Sequence, residues 1–259
     1  MNLKRILIPG LLLLAFAPYS KAQTNLQLQC GFGPDTPIGL TATLEGVYND
    51  VIGSTTFYVD YVQPFQQGAQ PGAYVELARL LNFWQETPLS FLSLHLEYDG
   101  GALYERFGVR HAALAGLDFF VHSKDYRNTL NFKLLYKWMD YSDEVSKKYG
   151  FQSQVPLQLT AVWGMEDLFG LPGLRFCGYA DFWWQNHLIT VDEKGEKMAQ
   201  KDWQISNVVF LAEPQLWYNA GRWIGLDNFN IGGEVELSFD LGSCRGFWAR
   251  PRAGIKWVF

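Results

Sequence analysis

Three acids and three bases dominate the last third of the chain: Glu213, Glu234 and Glu236, followed by Arg250, Arg252 and Lys256. Residues two apart in an extended chain share a face, so each set forms a row, and the rows belong to neighbouring segments. An acidic row opposed to a basic one sets a transverse field across a narrow passage, which favours zwitterionic or polar neutral solutes over simple anions. Glu97, Arg175 and Asp181 have the same parity within their own segments. So do the aromatic residues Tyr179, Trp183, Trp217 and Trp248, together with Tyr58 and Tyr74. Flat rings beside hydrogen-bonding acids can stack on and pin a planar ring such as a nucleobase. The same charges, paired across the interior, would instead plug it.

Covalent chemistry has little footing. Of the 4 histidines, His95 alone falls mid-segment on the polar face, two residues after Ser93. A hydrolase needs a Ser–His–polar constellation, whereas neighbours two apart on a strand line a wall, and no lipase motif surrounds them. The expectation is therefore no catalytic residue and no enzyme. Nor do the cysteines, Cys30, Cys177 and Cys244, make a Cys/His spacing that would hold a metal, so neither metal nor cofactor is expected. In an oxidising compartment, Cys30 at the end of the first strand and Cys244 before the last would meet if the strands closed into a ring. On that basis Cys30 and Cys244 are the candidate disulfide, with Cys177 unpaired; three unpaired thiols are the alternative.

These side chains must be positioned by strands. In residues 231–240 Glu234, Glu236, Ser238 and Asp240 alternate with Val235, Leu237 and Phe239. In 246–259 Arg250, Arg252 and Lys256 alternate with Ala249, Ala253, Ile255, Trp257 and Phe259. Residues 130–138 and 174–185 repeat the pattern: one wet face, one apolar face. Extended through the chain, it gives about 12 strands of a length suited to crossing a bilayer with tilt. They lie near 24–32, 38–48, 54–63, 72–84, 89–99, 106–122, 128–140, 152–166, 173–186, 203–219, 229–240 and 246–259. Short turns near 49–53, 85–88, 123–127, 167–172 and 220–228 interleave with longer loops near 64–71, 100–105, 141–151 and 187–202. Outer-membrane barrels distribute short periplasmic turns and long extracellular loops in this way. The charged stretch 187–202 reads either as a recognition loop or as a plain solvated one. Arg79 breaks the pattern by falling on the apolar parity, which suggests a β-bulge at 78–79.

Composition agrees. The chain of 259 residues is 48% hydrophobic, 16% aromatic and only 18% charged, which excludes disorder and a charged coiled coil. A mean hydropathy of −0.07 argues against a polytopic helical membrane protein. Residues 1–22 carry the three parts of a secretory signal: Lys4 and Arg5, an apolar run from Ile6 to Ala17, and Ser20-Lys21-Ala22 as a cleavage site. Its removal leaves residues 23–259 as one domain with 18 basic against 26 acidic residues, or about −8, which disfavours nucleic acid and anionic headgroups as partners. No later stretch could cross a membrane as a helix, so a membrane-embedded chain must be a β-barrel. Aromatics near strand ends (Trp84, Tyr98, Trp138, Trp257) suit interfacial girdles. The fold class expected is an all-β, transmembrane antiparallel barrel of a single domain.

The strings AEPQLWYN at 212–219, GGEVELS at 232–238 and the closing IKWVF, with LHLEYDGG at 94–101 and GYADFWW at 178–184, resemble an uncharacterised family of Gram-negative outer-membrane proteins. That family is similar to the nucleoside-specific, Tsx-type channels. The resemblance covers the whole chain after the signal and implies a 12-stranded monomeric barrel in the outer membrane. The final Phe259 resembles the C-terminal signal read by the barrel-assembly machinery. Outer-membrane lipids and a small polar solute, nucleosides included, are the partners this implies. A plugged barrel acting as a structural or surface-interaction protein through its loops is the alternative.

Overall fold

The computed structural model describes residues 22–33, 36, 38–67, 69–103, 107–141 and 157–259. The side chains of 22, 102–103, 107–110, 140–141 and 185 are not among those described. The expected signal peptide up to residue 21 and most of the loop near 141–151 lie outside the described residues.

Every segment with period-two alternation is a strand. In chain order they are β1 (Ala22–Gly31), β2 (Gly39–Asp50), β3 (Gly53–Pro64), β4 (Gly72–Leu81), β5 (Leu92–Leu103) and β6 (Phe107–His122). Then come β7 (Asn128–Tyr141), β8 (Leu157–Met165), β9 (Leu174–Ile189), β10 (Gln204–Ala212), β11 (Gln215–Tyr218), β12 (Phe229–Phe239) and β13 (Phe247–Val258). Consecutive strands pair antiparallel, apart from β10 with β11, and β1 returns to β13 in register from Asn25↔Val258 to Gly31↔Arg252. β10 and β11 both lie between β9 and β12, so they share one place in the wall and the barrel has 12 strand positions. Among the described residues no helix is long and apolar enough to cross a membrane.

The break between β10 and β11 falls at Glu213 and Pro214, inside the single strand expected over 203–219. Pro214 has no N–H to give to a ladder. Opposite it Gly178 on β9 holds φ +146°, and a Cβ there would lie 2.3 Å from the Glu213 carbonyl oxygen. The sheet closes over the break only because residue 178 has no side chain.

The expected bulge at 78–79 is absent. Ala78 and Arg79 stay in register with Thr56 and Thr55 on β3 and with Glu97 and Leu96 on β5. Arg79 does point outward, but close to the turn after β2, where it meets Asp50 at 2.8 Å and donates to Thr55 at 3.0 Å. A nearby acid satisfies the charge, so the backbone need not turn it inward. The ladder is instead irregular at Asp99/Gly101, Val109/His111 and Ser206/Val208. The link from β4 to β5 is longer than the expected 85–88: β4 stops at Leu81, and Asn82 folds the segment by donating its amide to the Ser90 carbonyl at 2.7 Å.

The two faces of the wall invert the rule for soluble proteins. Gln27, Gln29, Thr43, Asp60, His95, Asp118, Gln158, Glu234 and Lys256 point inward and are buried. Leu26 and Leu28, Leu94 and Leu96, Phe132 and Leu134, Ile255 and Trp257 occupy the alternate positions and are exposed. Polar side chains fill the interior, and apolar ones clothe the outside.

Candidate functional site

Inside the wall lies a cavity of about 590 Å³. Gln23, Asn25 and Val258 border it at the end where β1 begins and β13 finishes, and Gln66, Ala69, Leu241 and Cys244 border it at the opposite mouth. One void thus runs between the barrel's two ends.

One side of the void is built by β12 and β13. Their register sets Glu234 opposite Arg252 and Glu236 opposite Arg250, and the side chains pair as the register dictates. Arg252 donates to Glu234 at 2.8 Å and more weakly to Glu236 at 3.4 Å, and Arg250 donates to Glu236. Gln29 and Gln215 each donate to the other oxygen of Glu234 at 3.1 Å, and Lys256 lies 4.0 Å from Glu45. This corrects the transverse field expected from opposed rows: the rows sit on adjacent strands and neutralise each other across one strand spacing. Glu213, at the break in the wall, keeps a buried carboxyl oxygen without a partner.

The other side is built by β4 to β9. His95 is fully buried, 2.7 Å from Glu97 and 3.8 Å from Asp118. Asn131 holds the second Asp118 oxygen at 2.6 Å. Ser93 forms no hydrogen bond with His95 among the described residues, so the two do not assemble a nucleophile and its base. Lys137 donates to Gln158 at 2.7 Å and lies 4.3 Å from the Trp183 ring centre. Asp181 accepts from Thr160 and from Gln158.

The structure spreads the sequence-singled residues unequally. Glu97, Arg175, Tyr179, Asp181 and Trp183 border the cavity, as do Glu213, Glu236, Arg250 and Arg252. Glu234, Trp217 and Trp248 do not. Trp217 is 1% exposed, covered by Lys256 at 4.4 Å, held by its N–H to Gln215 and backed by Gly232. No ring can stack on it. Trp248 is buried with Val191 and Cys244 under the mouth loops. Parity told these tryptophans from the outward-facing ones but not from tyrosines that reach the void. Tyr58 and Tyr74 border the cavity with Tyr179.

Parity also missed the neutral amides: Gln27, Gln29, Gln158 and Gln215 fill the spaces between charges, and only burial distinguishes them from surface glutamines. The candidate Cys30–Cys244 disulfide is not made, and the alternative of free thiols holds. Cys30 shares the outward parity of Leu26 and Leu28 and is an exposed free thiol, whereas Cys244 is buried in the loop after β12. Cys177 points inward toward Gln215, at 3.8 Å.

At the mouth, residues 190–203 fold onto the link between β12 and β13. Thr190 and Val191 both donate to the Ser243 carbonyl, at 2.9 and 3.0 Å, and Arg245 donates back to Val191 at 2.9 Å. Asp192 shapes the turn by accepting from the Lys194 and Glu196 N–H groups, each at 2.9 Å. These N–H groups, Glu196 first, hold its carboxyl below the usual carboxylate range.

The profile of a family described as "Domain of unknown function (DUF5020)" matches residues 32–259. Among solved structures, that of "KdgM porin" is similar with a TM-score of 0.45 and 10% identity, over 92% of this chain and 99% of that one. "Copper transporter OprC" is similar with a TM-score of 0.31 and 12% identity, over 85% of this chain and 37% of that one. No curated protein matches.

Proposed function

The chain belongs to the DUF5020 family, and for this member we propose an outer-membrane channel that passes small polar solutes by passive diffusion. The observation that carries this reading is the closed wall, apolar outside and polar inside, around a void bordered by residues of both ends. A barrel is the only β-structure whose backbone is fully paired in lipid. The turns between β2 and β3, β4 and β5, β6 and β7, β8 and β9, and β11 and β12 share the end where β1 begins and β13 finishes, which would face the periplasm. The chain would reach it by the secretory route, losing residues 1–22, and Phe259 would present the assembly signal to the insertion machinery. A wall without a free edge suits a monomer.

The solute class follows from the lining. Balanced ion pairs leave little net field for a simple ion to follow, and hydroxyl, amide and carboxyl groups offer hydrogen bonds in both senses. Tyr58, Tyr74 and Tyr179 bring phenol rings to the void, so nucleosides are the solutes we assign, stacked on tyrosine rather than on Trp217 or Trp248.

A second reading has its own support. The 190–203 loop is docked at the mouth, and Gly195 sits so close to Trp248 that a Cβ would lie 3.6 Å from the ring. A barrel kept shut by this loop would act through its outer surface instead.

Planar-bilayer recording of the refolded protein separates the two. Discrete openings partly blocked by nucleosides support the channel and its solute, and openings without block retain the channel and discard the nucleoside. A folded, heat-modifiable barrel that never conducts supports the surface-interaction reading.

A further inference from the structure

Glu76 on β4 stands directly opposite Asp99 on β5 in the ladder, both pointing into the lumen. Like charges directly opposed on one sheet face repel. Glu97, two residues before Asp99, joins them, and one carboxyl oxygen from each of the three lies within 4.8 Å of the other two. The surroundings compensate this charge only in part. Asp99 is 4% exposed, and its Oδ1 is buried without a partner. Glu76 makes no hydrogen bond or ion pair among the described residues. Glu97 spends one oxygen on His95, and the nearest ammonium, that of Lys133, remains 3.9 Å from that same oxygen. Lys137 is turned away to Gln158 and the Trp183 ring. The ladder between β5 and β6 is irregular right after Asp99, and such irregularities re-aim a side chain.

We propose that Glu76, Glu97 and Asp99 form a lumenal binding site for a hard divalent cation of the calcium class. Three carboxylates and no nitrogen or sulfur donor select hard ions over copper or zinc. Calcium accepts irregular sets of oxygen donors at about 2.3–2.6 Å, whereas magnesium demands a near-ideal octahedron and gives up its own waters reluctantly. Water in the lumen completes the coordination. The donors come from two strands, which is why no spacing in the sequence announces them. The ion would tie β4 to β5 and remove the repulsion built into their register. The inference requires the barrel but not conduction: a barrel that binds the ion and never conducts would end the channel reading and leave this one standing.

The probe is terbium(III), a luminescent calcium analogue that nearby aromatic rings sensitise; Tyr74 precedes Glu76 by two residues on the same face. The refolded, heat-modifiable barrel should show emission saturating at one ion and reversed by calcium. D99N and E76Q should each weaken binding at least tenfold, and E86Q, at an exposed turn, should leave it intact. Absence of saturable emission, or binding unchanged in D99N and E76Q, overturns the proposal. If neither variant folds, calcium must still raise the Tm of the unaltered barrel more than magnesium does at equal concentration, and equal effects overturn the proposal.

Discussion

Arg252 stands opposite Glu234 across the β12–β13 ladder and donates to it at 2.8 Å, so the longest charged rows of the lumen cancel locally. Removing the base exposes the acids. Arg252→Met should raise the preference of the open channel for cations over anions, read as a shift in reversal potential across a salt gradient. Breaking a buried ion pair costs about 3–5 kcal/mol, and the amides of Gln29 and Gln215 on Glu234 should keep the loss at the low end. Adding Glu234→Gln should restore most of both. A reversal potential that stays fixed in Arg252→Met would mean that this wall does not border the conduction path.

The tyrosines and the buried tryptophans make opposite predictions about the solute. Tyr179→Leu should weaken nucleoside block of single-channel current severalfold, because its ring borders the void. Trp217→Phe should leave block unchanged, since Trp217 has no free face. Equal losses in the two variants would place the stacking elsewhere.

The mouth loop should respond to acid. The Asp192 carboxyl lies below its ordinary pKa in the folded loop, so its contribution is complete above the unfolded value, about 3.9, and is lost as pH falls through the lower folded one. The protection factors of the Lys194 and Glu196 amides, which take out the intrinsic pH dependence of exchange, should therefore hold steady near neutral pH and fall below about pH 4. Asp192→Ala should abolish that protection at every pH. Amides that exchange at the same rate in both proteins would show that the turn does not depend on this carboxylate.

Arg79 offers a test of the outer face. Its guanidinium sits near the turn after β2 and is matched by Asp50, and a charge near the membrane boundary costs about 0–1 kcal/mol. Arg79→Leu should change the unfolding free energy of the refolded barrel, read from urea titration, by less than about 1 kcal/mol. Asp50→Asn, which leaves the cation without its acid, should destabilise more. The reverse order would place Arg79 deep in the hydrocarbon.

Alternation was enough to find every strand position, because a wall wet on one side and oily on the other imposes period two on each segment. The same signal assigned Glu213, Arg175 and Asp181 to the interior. It could not say which inward residue meets which, since that depends on register between strands and on height along the barrel. Hence the ion pairs of β12 and β13 looked like opposed rows, Trp217 looked like a platform, and the meeting of Glu76 with Asp99 went unseen. The break at Glu213-Pro214 was hidden for a related reason: parity continues across it, and only the missing N–H of Pro214 and the bare backbone of Gly178 betray it. Arg79 misled in the other direction, because its partner Asp50 belongs to another strand.

The ladder between β1 and β13 has a consequence in time. The first strand to leave the ribosome finds its second neighbour only when the last has been made and delivered, so every earlier intermediate carries two raw edges able to recruit foreign strands. Until Leu26 and Leu28 lie beside Trp257 and Ile255, both edges stay open. A nascent chain lacking β13 would be a target for proteolysis rather than a leaky pore.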